Sequence, residues 1–394
     1  MKILNFLLPI AFIAVLVTGL VLHFTTVDRE ISEMENRSLQ QGDFEPTFKN
    51  VISGEYVKKV ESYITDQFPY RDDWMKTYVK SQVALGETFI KDSYFVDAES
   101  GWIVTKAVEP VEEESITAFA NDFVGFKEGL AAKDIPMAFF TFPAKATYIR
   151  EPSPDFMPVD GGIESNNRLH KVLTEKGIDN AKIMDSIPKG VDVHNMYFKT
   201  DHHWKMFGAY QGYLALMENI NERIGENIEP IPYDETNNVC LPNAFSGSWN
   251  KVLYMTVKSD DQVCYNNPES FETQFQVYKG DVIAGKEPLS FSDIYGQAKK
   301  VDDTELVSYA SGYSADYAML NILNKDYDSD KHIVVVKDSY FNAIQFHVAS
   351  HFKQLTVLDL RYLKGNPTDI IAKLNPDYVF FVYNDRNFNV VESY

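Results

Sequence analysis

The chain opens on an apolar run. From Ile3 to Phe24 there is no Asp, Glu, Lys or Arg, and His23 is the only side chain in the stretch that can ionise. A helix of about 20 apolar residues spans the hydrocarbon core of a bilayer. A cleaved signal peptide has an apolar core of about 7–15 residues and a small-residue cleavage site. The run here is longer and passes into His23-Phe24-Thr25-Thr26-Val27 without an Ala-x-Ala pattern. It therefore favours an uncleaved anchor over residues 1–27, ahead of a signal peptide or a buried core helix. Lys2 stands alone on one flank, and Asp28, Arg29 and Glu30 follow on the other. The positive-inside bias then gives a single-pass protein of the cell membrane, with its N-terminus in the cytoplasm and its body outside.

Residues 28–100 are polar with helical spacing. Tyr56 to Tyr63 and Trp74 to Leu85 carry apolar residues three and four apart, interrupted by Pro69. That predicts two helices meeting at the proline, a stalk that packs on the main body. Gly101-Trp102-Ile103-Val104 reads as the first strand of a new unit, and residues 101–394 as one α/β domain. Phe119, Phe123, Phe126 and Leu130 mark one helix face, and Phe207, Tyr210, Leu214 and Met217 another, with a continuous apolar strand from Pro136 to Phe142 between them. Between about 240 and 290, runs such as Val252 to Val257 and Phe271 to Val277 predict a β-rich insertion. The clearest pattern comes last: strand His332 to Val336, helix Asn342 to Phe352, strand Leu355 to Leu360, helix Thr368 to Leu374, strand Tyr378 to Tyr383. Apolar strands alternating with helices predict a parallel sheet with helices on both faces.

Composition narrows the function. The chain has 37 Lys+Arg against 57 Asp+Glu, a net charge of −20. Such a surface repels phosphate backbones, and no basic patch offsets it, so nucleic acid is excluded as a partner. Two cysteines, Cys240 and Cys264, are too few for a zinc ribbon or an iron–sulfur protein. Outside the membrane they can form a disulfide; two buried thiols is the other reading. Asn36-Arg37-Ser38 matches the glycosylation sequon, a weak three-residue pattern.

Candidate chemistry sits at two places. Ser339 lies one step past Val334-Val335-Val336-Lys337-Asp338, at the carboxyl end of a predicted strand, where open α/β sheets bind ligands. A serine there is an exposed nucleophile, with N–H donors of the following helix available to an oxyanion. A helix N-cap is the commoner role for a serine so placed. The second place is Thr200-Asp201-His202-His203-Trp204, before a helix beginning near Lys205. A serine nucleophile needs a base, and the base needs a carboxylate to fix its tautomer. Asp201 and His203 supply both from one loop, and Trp204 would wall the imidazole from water. Three other readings compete: Asp201 as a helix cap, a metal site of Asp201, His202 and His203 with His194, and His347 and His351, four apart, as metal ligands. Adjacent histidines seldom share an ion, and the last pair lacks a Glu-x-x-His context, so it reads as a helix face.

The string Asp201-His202-His203-Trp204 names the DHHW-motif family of bacterial exported proteins, which this sequence resembles over nearly its whole length. Matching blocks include Glu33-Met34-Glu35-Asn36-Arg37, Asp66-Gln67-Phe68-Pro69-Tyr70-Arg71-Asp72, and Gly101-Trp102-Ile103-Val104. Further along come Phe142-Pro143-Ala144-Lys145-Ala146-Thr147-Tyr148, Lys337-Asp338-Ser339-Tyr340, Asp359-Leu360-Arg361-Tyr362 and Asp377-Tyr378-Val379-Phe380-Phe381-Val382-Tyr383. That family is similar to the SGNH-hydrolase-like proteins that O-acetylate alginate. The resemblance implies an SGNH-like α/β sheet in permuted order, with Asp201 orienting, His203 as base and Ser339 as nucleophile. Lys337-Asp338-Ser339 stands where SGNH enzymes carry Gly-Asp-Ser. Gly247 and Arg361 are candidates for the oxyanion or substrate, along with His202, Trp204 and Tyr340. The implied activity is an extracytoplasmic serine O-acyltransferase acting on a cell-surface or secreted polysaccharide. It would need no cofactor and would receive acyl groups from a membrane-bound O-acyltransferase. A carbohydrate esterase with the same triad and a non-catalytic glycan-binding envelope scaffold are the alternatives.

Overall fold

The computed structural model describes residues 2–35, 37–280, 286–328 and 330–387, with side chains from residue 7 onward. Asn36 of the sequon lies outside the described residues. Residues 1–91 together with 249–258 make one compact unit, and residues 92–248 with 259–394 make a second.

In the first unit the apolar run forms helix α1 (Lys2–Thr25). Its segment Leu7–Thr25 has a mean hydropathy of 2.4, and none of it is buried by the rest of the chain. That exposure removes the buried-core reading. Among the described residues α1 is the one helix long and apolar enough to cross a membrane. Helices α2 (Glu55–Asp66) and α3 (Arg71–Ala84) are broken apart at Pro69, which cannot donate to a continuing helix. Arg71 organises this unit. Its Nη2 donates to both oxygens of Glu35 at 3.0 and 2.9 Å, and its Nη1 to the Tyr254 hydroxyl at 3.0 Å. Tyr254 in turn donates to Glu35 at 2.9 Å. Partial burial raises the Glu35 carboxyl, but the bonds from Arg71 and Tyr254 outweigh it and hold the group at about 2.

The second unit is built on a seven-stranded sheet. Its strands are β1 (Met137–Phe142), β2 (Asn180–Lys182), β3 (Phe275–Lys279), β4 (Met319–Asn324), β5 (His332–Lys337), β6 (Gln354–Leu358) and β7 (Tyr378–Asn384). They lie in the order β2-β1-β7-β5-β6-β4-β3. The first five are parallel, with Val336 opposite both Phe381 and Leu358, and Phe381 opposite Phe139. Strands β4 and β3 close one edge antiparallel. Alternate side chains enter two cores. Phe140, Val335 and Phe380 face one layer, which includes helix α6 (Met206–Ile224). Phe139, Val334, Val336 and Phe381 face the other, covered by α4 (Glu113–Ala131), α5 (Gly162–Glu175) and α7 (Pro367–Leu374). This is the doubly covered parallel sheet expected from the unbroken apolar strands.

Three details differ from expectation. The helix expected over Asn342 to Phe352 is a 3₁₀ turn (Ser339–Ala343) and a short α-helix (Gln345–Ala349). On α6 the buried stripe runs through Met206, Ala209, Tyr213, Leu216 and Ile220, while Phe207 and Leu214 are only half-buried. Among the described residues, the β character expected between 240 and 290 is limited to strand β3 and a two-residue pair, Val239–Cys240 with Cys264–Tyr265. Val252 to Val257 is no strand: it ends a helical turn, and Tyr254 and Met255 take left-handed φ of 55° and 54°. Cys240 and Cys264 form a disulfide, which decides between the two readings of that pair.

The aromatic cluster under α4 is the packing on which β1 and β7 depend. Phe123 is fully buried, its ring 4.8 Å from that of Phe139 and 5.1 Å from that of Phe381. Phe123→Ala is expected to destabilise the chain by about 3–5 kcal/mol, read as a lower denaturation midpoint with an unchanged denaturant slope.

Candidate active site

The loop carrying the histidines is a narrow return. Trp204 bridges to Tyr197, and the Lys205 N–H donates to Met196 O at 2.7 Å, so Lys199 to His203 form the tip. Asp261 holds that tip from outside: its carboxylate accepts the Lys199 N–H at 2.9 Å, and the Thr200 N–H and hydroxyl at 2.8 and 2.7 Å. Lys145, buried at the start of a short helix (Lys145–Tyr148) after β1, donates from Nζ to the carbonyls of Lys199 and Asp201 at 2.7 and 3.0 Å. Burial pushes its ammonium down to about 7, against the pull of Asp261 and Asp201.

At the tip, Asp201 and His203 are buried. The Asp201 Oδ1 accepts both the His203 main-chain N–H at 2.8 Å and its ring Nδ1 at 2.7 Å. Its Oδ2 accepts the Ser248 N–H at 2.6 Å. Burial raises this carboxyl, but His203, His202 and the Ser248 N–H overcome it and hold the group far below the carboxylate range. The acid is therefore ionised at any physiological pH, and Nδ1 carries the proton it accepts. The other ring nitrogen, Nε2, lies 2.7 Å from Ser339 Oγ. Ser339 is half-buried, reachable from solvent at the carboxyl end of β5.

The structure separates the two readings of Ser339. The cap of the following turn is Asp338, whose side chain accepts the Tyr340 N–H at 3.0 Å. Its main-chain oxygen takes the Phe341 N–H at 3.2 Å. Ser339 is left to His203. The same bonds correct a second expectation, since the Tyr340 and Phe341 N–H groups are spent on Asp338 and the turn spans only Ser339–Ala343. It is a short turn rather than the start of a long helix.

Other expected residues take different places. Trp204 is buried in the core, donating from Nε1 to Tyr340 O at 3.0 Å and packed edge-on against Phe142. The ring stacked on His203 is that of Tyr309, 3.7 Å away and nearly parallel. Tyr340 is a brace: its hydroxyl donates to His202 O and accepts the Lys145 N–H. His202 is partly exposed, its Nδ1 2.7 Å from Ser248 Oγ. Loss of hydration and the adjacent His203 push it down to about 3. Gly247 acts through space: a Cβ there would lie 2.4 Å from Thr200 O, so only glycine lets residues 247–248 approach and place the Ser248 N–H on Asp201. Arg361 is engaged with Asp359 at 2.6 Å and Asp316 at 2.9 Å, in a cluster with Lys337.

Asp201, His202 and His203 could also hold a metal, their ligand atoms lying within 4.8 Å of one another. Yet both nitrogens of His203 are already bonded, to Asp201 and Ser339, so the bonding pattern is that of a relay. His194 packs instead on Trp102. His347 on the short helix and His351 just past its end are buried beside Asn266 O and the Tyr213 hydroxyl, so the pair does not share one helix face. Sequence reasoning missed Tyr309, Ser248 and Asp261, and gave Lys145 no role. Only the nearness of Lys145 to the β1 strand end was a signal.

Residues 96–273 match the family described as SGNH hydrolase-like domain, acetyltransferase AlgX. That stretch of the chain is similar to an SGNH hydrolase-like domain. That match includes Asp201 and His203 and ends before Ser339. No curated protein matches the sequence. Among solved structures, Bacillus cereus PatB1 is similar at 26% identity and a TM-score of 0.64, over 75% of this chain and 97% of that one. PatB1 with a sulfonyl adduct aligns at 24% identity and a TM-score of 0.60, over 75% and 94%. A DHHW family protein from Eubacterium siraeum shares the fold of the SGNH-like domain at 17% identity and a TM-score of 0.58, over 76% and 94%.

Two outcomes test this geometry. Asp201→Asn keeps the shape but favours the wrong imidazole tautomer, and is expected to lower turnover of an activated acetyl ester by about 10³–10⁴-fold. Gly247→Ala should lower it too, by displacing Ser248. Near the same loop, buried Asp385 accepts the Ala144 N–H and the Thr147 hydroxyl, and burial raises its carboxyl from 3.8 to about 7. The folded state thus keeps a proton that the unfolded chain loses, so this group's contribution falls as pH rises through that window. Asp385→Asn should be more stable than wild type at pH 8 and no more stable at pH 4, by thermal melts at both.

Proposed function

We propose that this enzyme is an extracytoplasmic serine O-acyltransferase that moves an acetyl group onto a hydroxyl of a cell-surface or secreted polysaccharide. The observation that carries the reading is the relay itself, with Ser339 Oγ and Asp201 each 2.7 Å from opposite nitrogens of one buried imidazole. The acetyltransferase description of the matching family supports acetyl as the group moved. In the first step His203 Nε2 takes the Ser339 proton as Oγ attacks the donor carbonyl. The carbonyl's bond to the leaving group then breaks, and His203 returns the proton to that group, leaving acetyl-Ser339. Next a sugar hydroxyl attacks the acetyl carbonyl while His203 takes its proton. The ester to Oγ breaks, and the proton goes back to Ser339. Asp201 stays ionised throughout, holding the Nδ1–H and stabilising the transient imidazolium. Tyr309 covers one face of the ring and so opposes its turning about the Cβ–Cγ bond. Helix α1 would anchor the chain in the cell membrane, N-terminus inside, beside a membrane-bound O-acyltransferase that supplies acetyl groups.

The test compares wild type, Ser339→Ala and His203→Ala on a chromogenic acetyl ester, with and without oligosaccharide acceptors. Wild type should show a burst of one equivalent that both variants lose, with turnover down by at least about 10³-fold. Acetylated sugar should accumulate when acceptor is present. Release of acetate alone, whatever the acceptor, would make the protein an esterase, and equal turnover in all three would leave a binding scaffold. Since PatB1 has been solved with a sulfonyl adduct, phenylmethanesulfonyl fluoride should add one group to wild type and none to Ser339→Ala, by intact-protein mass spectrometry.

A further inference from the structure

Away from the triad, the antiparallel edge of the sheet is left partly uncovered. Strands β4, β5 and β6 floor a cavity of about 920 Å³, walled on one side by helix α7. Sheet interiors that pack under helices are apolar, and this face is so at Val334, Val336 and Leu358. Within the cavity the same face turns polar, presenting Asn321, His332 and Gln354. These side chains are held in one arrangement. Thr356 Oγ1 donates to Asn321 Oδ1 at 2.6 Å, Gln354 Nε2 reaches the same oxygen at 3.2 Å, and Asn321 Nδ2 donates to Gly280 O at 2.7 Å. His332 Nε2 lies 2.8 Å from Thr356 Oγ1.

The rim is as distinctive as the floor. Lys279, Lys364 and Lys373 line the cavity, and among the described residues no Asp or Glu does, in a chain of net charge −20. All three lysines are exposed. Carboxylates elsewhere on the surface repel anions, so a rim of three exposed lysines attracts them locally. The Lys279 ammonium lies 4.7 Å over the Tyr317 ring, which joins an aromatic surface to the positive edge.

We propose that this groove is a second ligand site, distinct from the triad, that binds a segment of polysaccharide carrying carboxylate or phosphate groups. The lysines meet the anionic groups, the half-buried amide of Gln354, held by Asn321, meets hydroxyls, and Tyr317 offers a flat apolar face to a sugar ring. A small anion would use the charges alone. A neutral glycan would use only the floor. The combination of the two selects an anionic glycan.

The experiment is calorimetric titration of the full-length chain in detergent with four probes: oligogalacturonate, phosphorylated dextran, unmodified dextran and polyphosphate. Binding of oligogalacturonate or phosphorylated dextran is expected, with the tighter of the two identifying the anion, and at least tenfold weaker binding of dextran and polyphosphate. The K279Q/K364Q/K373Q variant should lose at least tenfold in affinity, and Gln354→Ala severalfold, with ester turnover unchanged in both. Ser339→Ala should bind as wild type does, which keeps this site separable from the catalytic reading. Failure of wild type to bind either anionic glycan, or equal binding by the triple variant, would overturn the proposal. Polyphosphate bound as tightly as the glycans, with Gln354→Ala indifferent, would overturn the saccharide assignment.

Discussion

A buried carboxylate is costly unless each oxygen is bonded and an opposite charge or a strong donor stands beside it. Asp201 meets that condition through three N–H groups, two from His203 and one from Ser248. Much of the site's construction follows from keeping those donors in place. The Ser248 N–H arrives only because Gly247 has no side chain to strike Thr200. The His203 donors arrive because the loop tip is pinned by Asp261 on one side and Lys145 on the other. Burial strengthens each of these bonds and raises the cost of losing any one.

The relay is joined to the sheet by a few buried cross-braces rather than by loop rigidity. Lys145 follows β1, Ser339 and Tyr340 follow β5, and Tyr340 links the two by accepting from the Lys145 N–H and donating to His202 O. Trp204 fixes the loop from below by bonding Tyr340 O, and Gly212 on α6 leaves room for the indole, since a Cβ there would meet it at 2.5 Å. The base and the nucleophile, 136 residues apart in the chain, are thereby carried on one packed unit. Near-attack geometry of this kind is what lets a triad act without reorganising.

The disulfide belongs to the same logic. Cys240 and Cys264, 24 residues apart, close a segment that contains both Ser248 and Asp261. Two of the groups that bear on the Asp201 loop therefore sit in one cross-linked stretch, and cross-linking narrows the conformations that stretch can take. An extracytoplasmic body, as proposed, would let such a bond persist.

The strands and most helices were legible because their side-chain periods are local: Met137–Phe142, His332–Lys337 and Tyr378–Asn384 appear within a residue or two of the apolar runs that predict them. Asp201, His203 and Ser339 were legible as residue types suited to a relay. Their roles came from adjacency within one loop and from a strand end, together with a family resemblance. Within 240–290 the strand Phe275–Lys279 is present, whereas alternation in Val252 to Val257 mimics a strand that left-handed Tyr254 and Met255 forbid. Tyr309, Ser248 and Asp261 carry no local mark at all, because each meets the site from a distant point in the chain. What the sequence determined by itself was periodicity, and hence the layers, the apolar N-terminal helix and the inventory of reactive groups. Only the tertiary structure decided which hydroxyl faces the imidazole, which ring stacks on it and which N–H groups hold the acid. Those are distances between remote residues, and no local pattern encodes them.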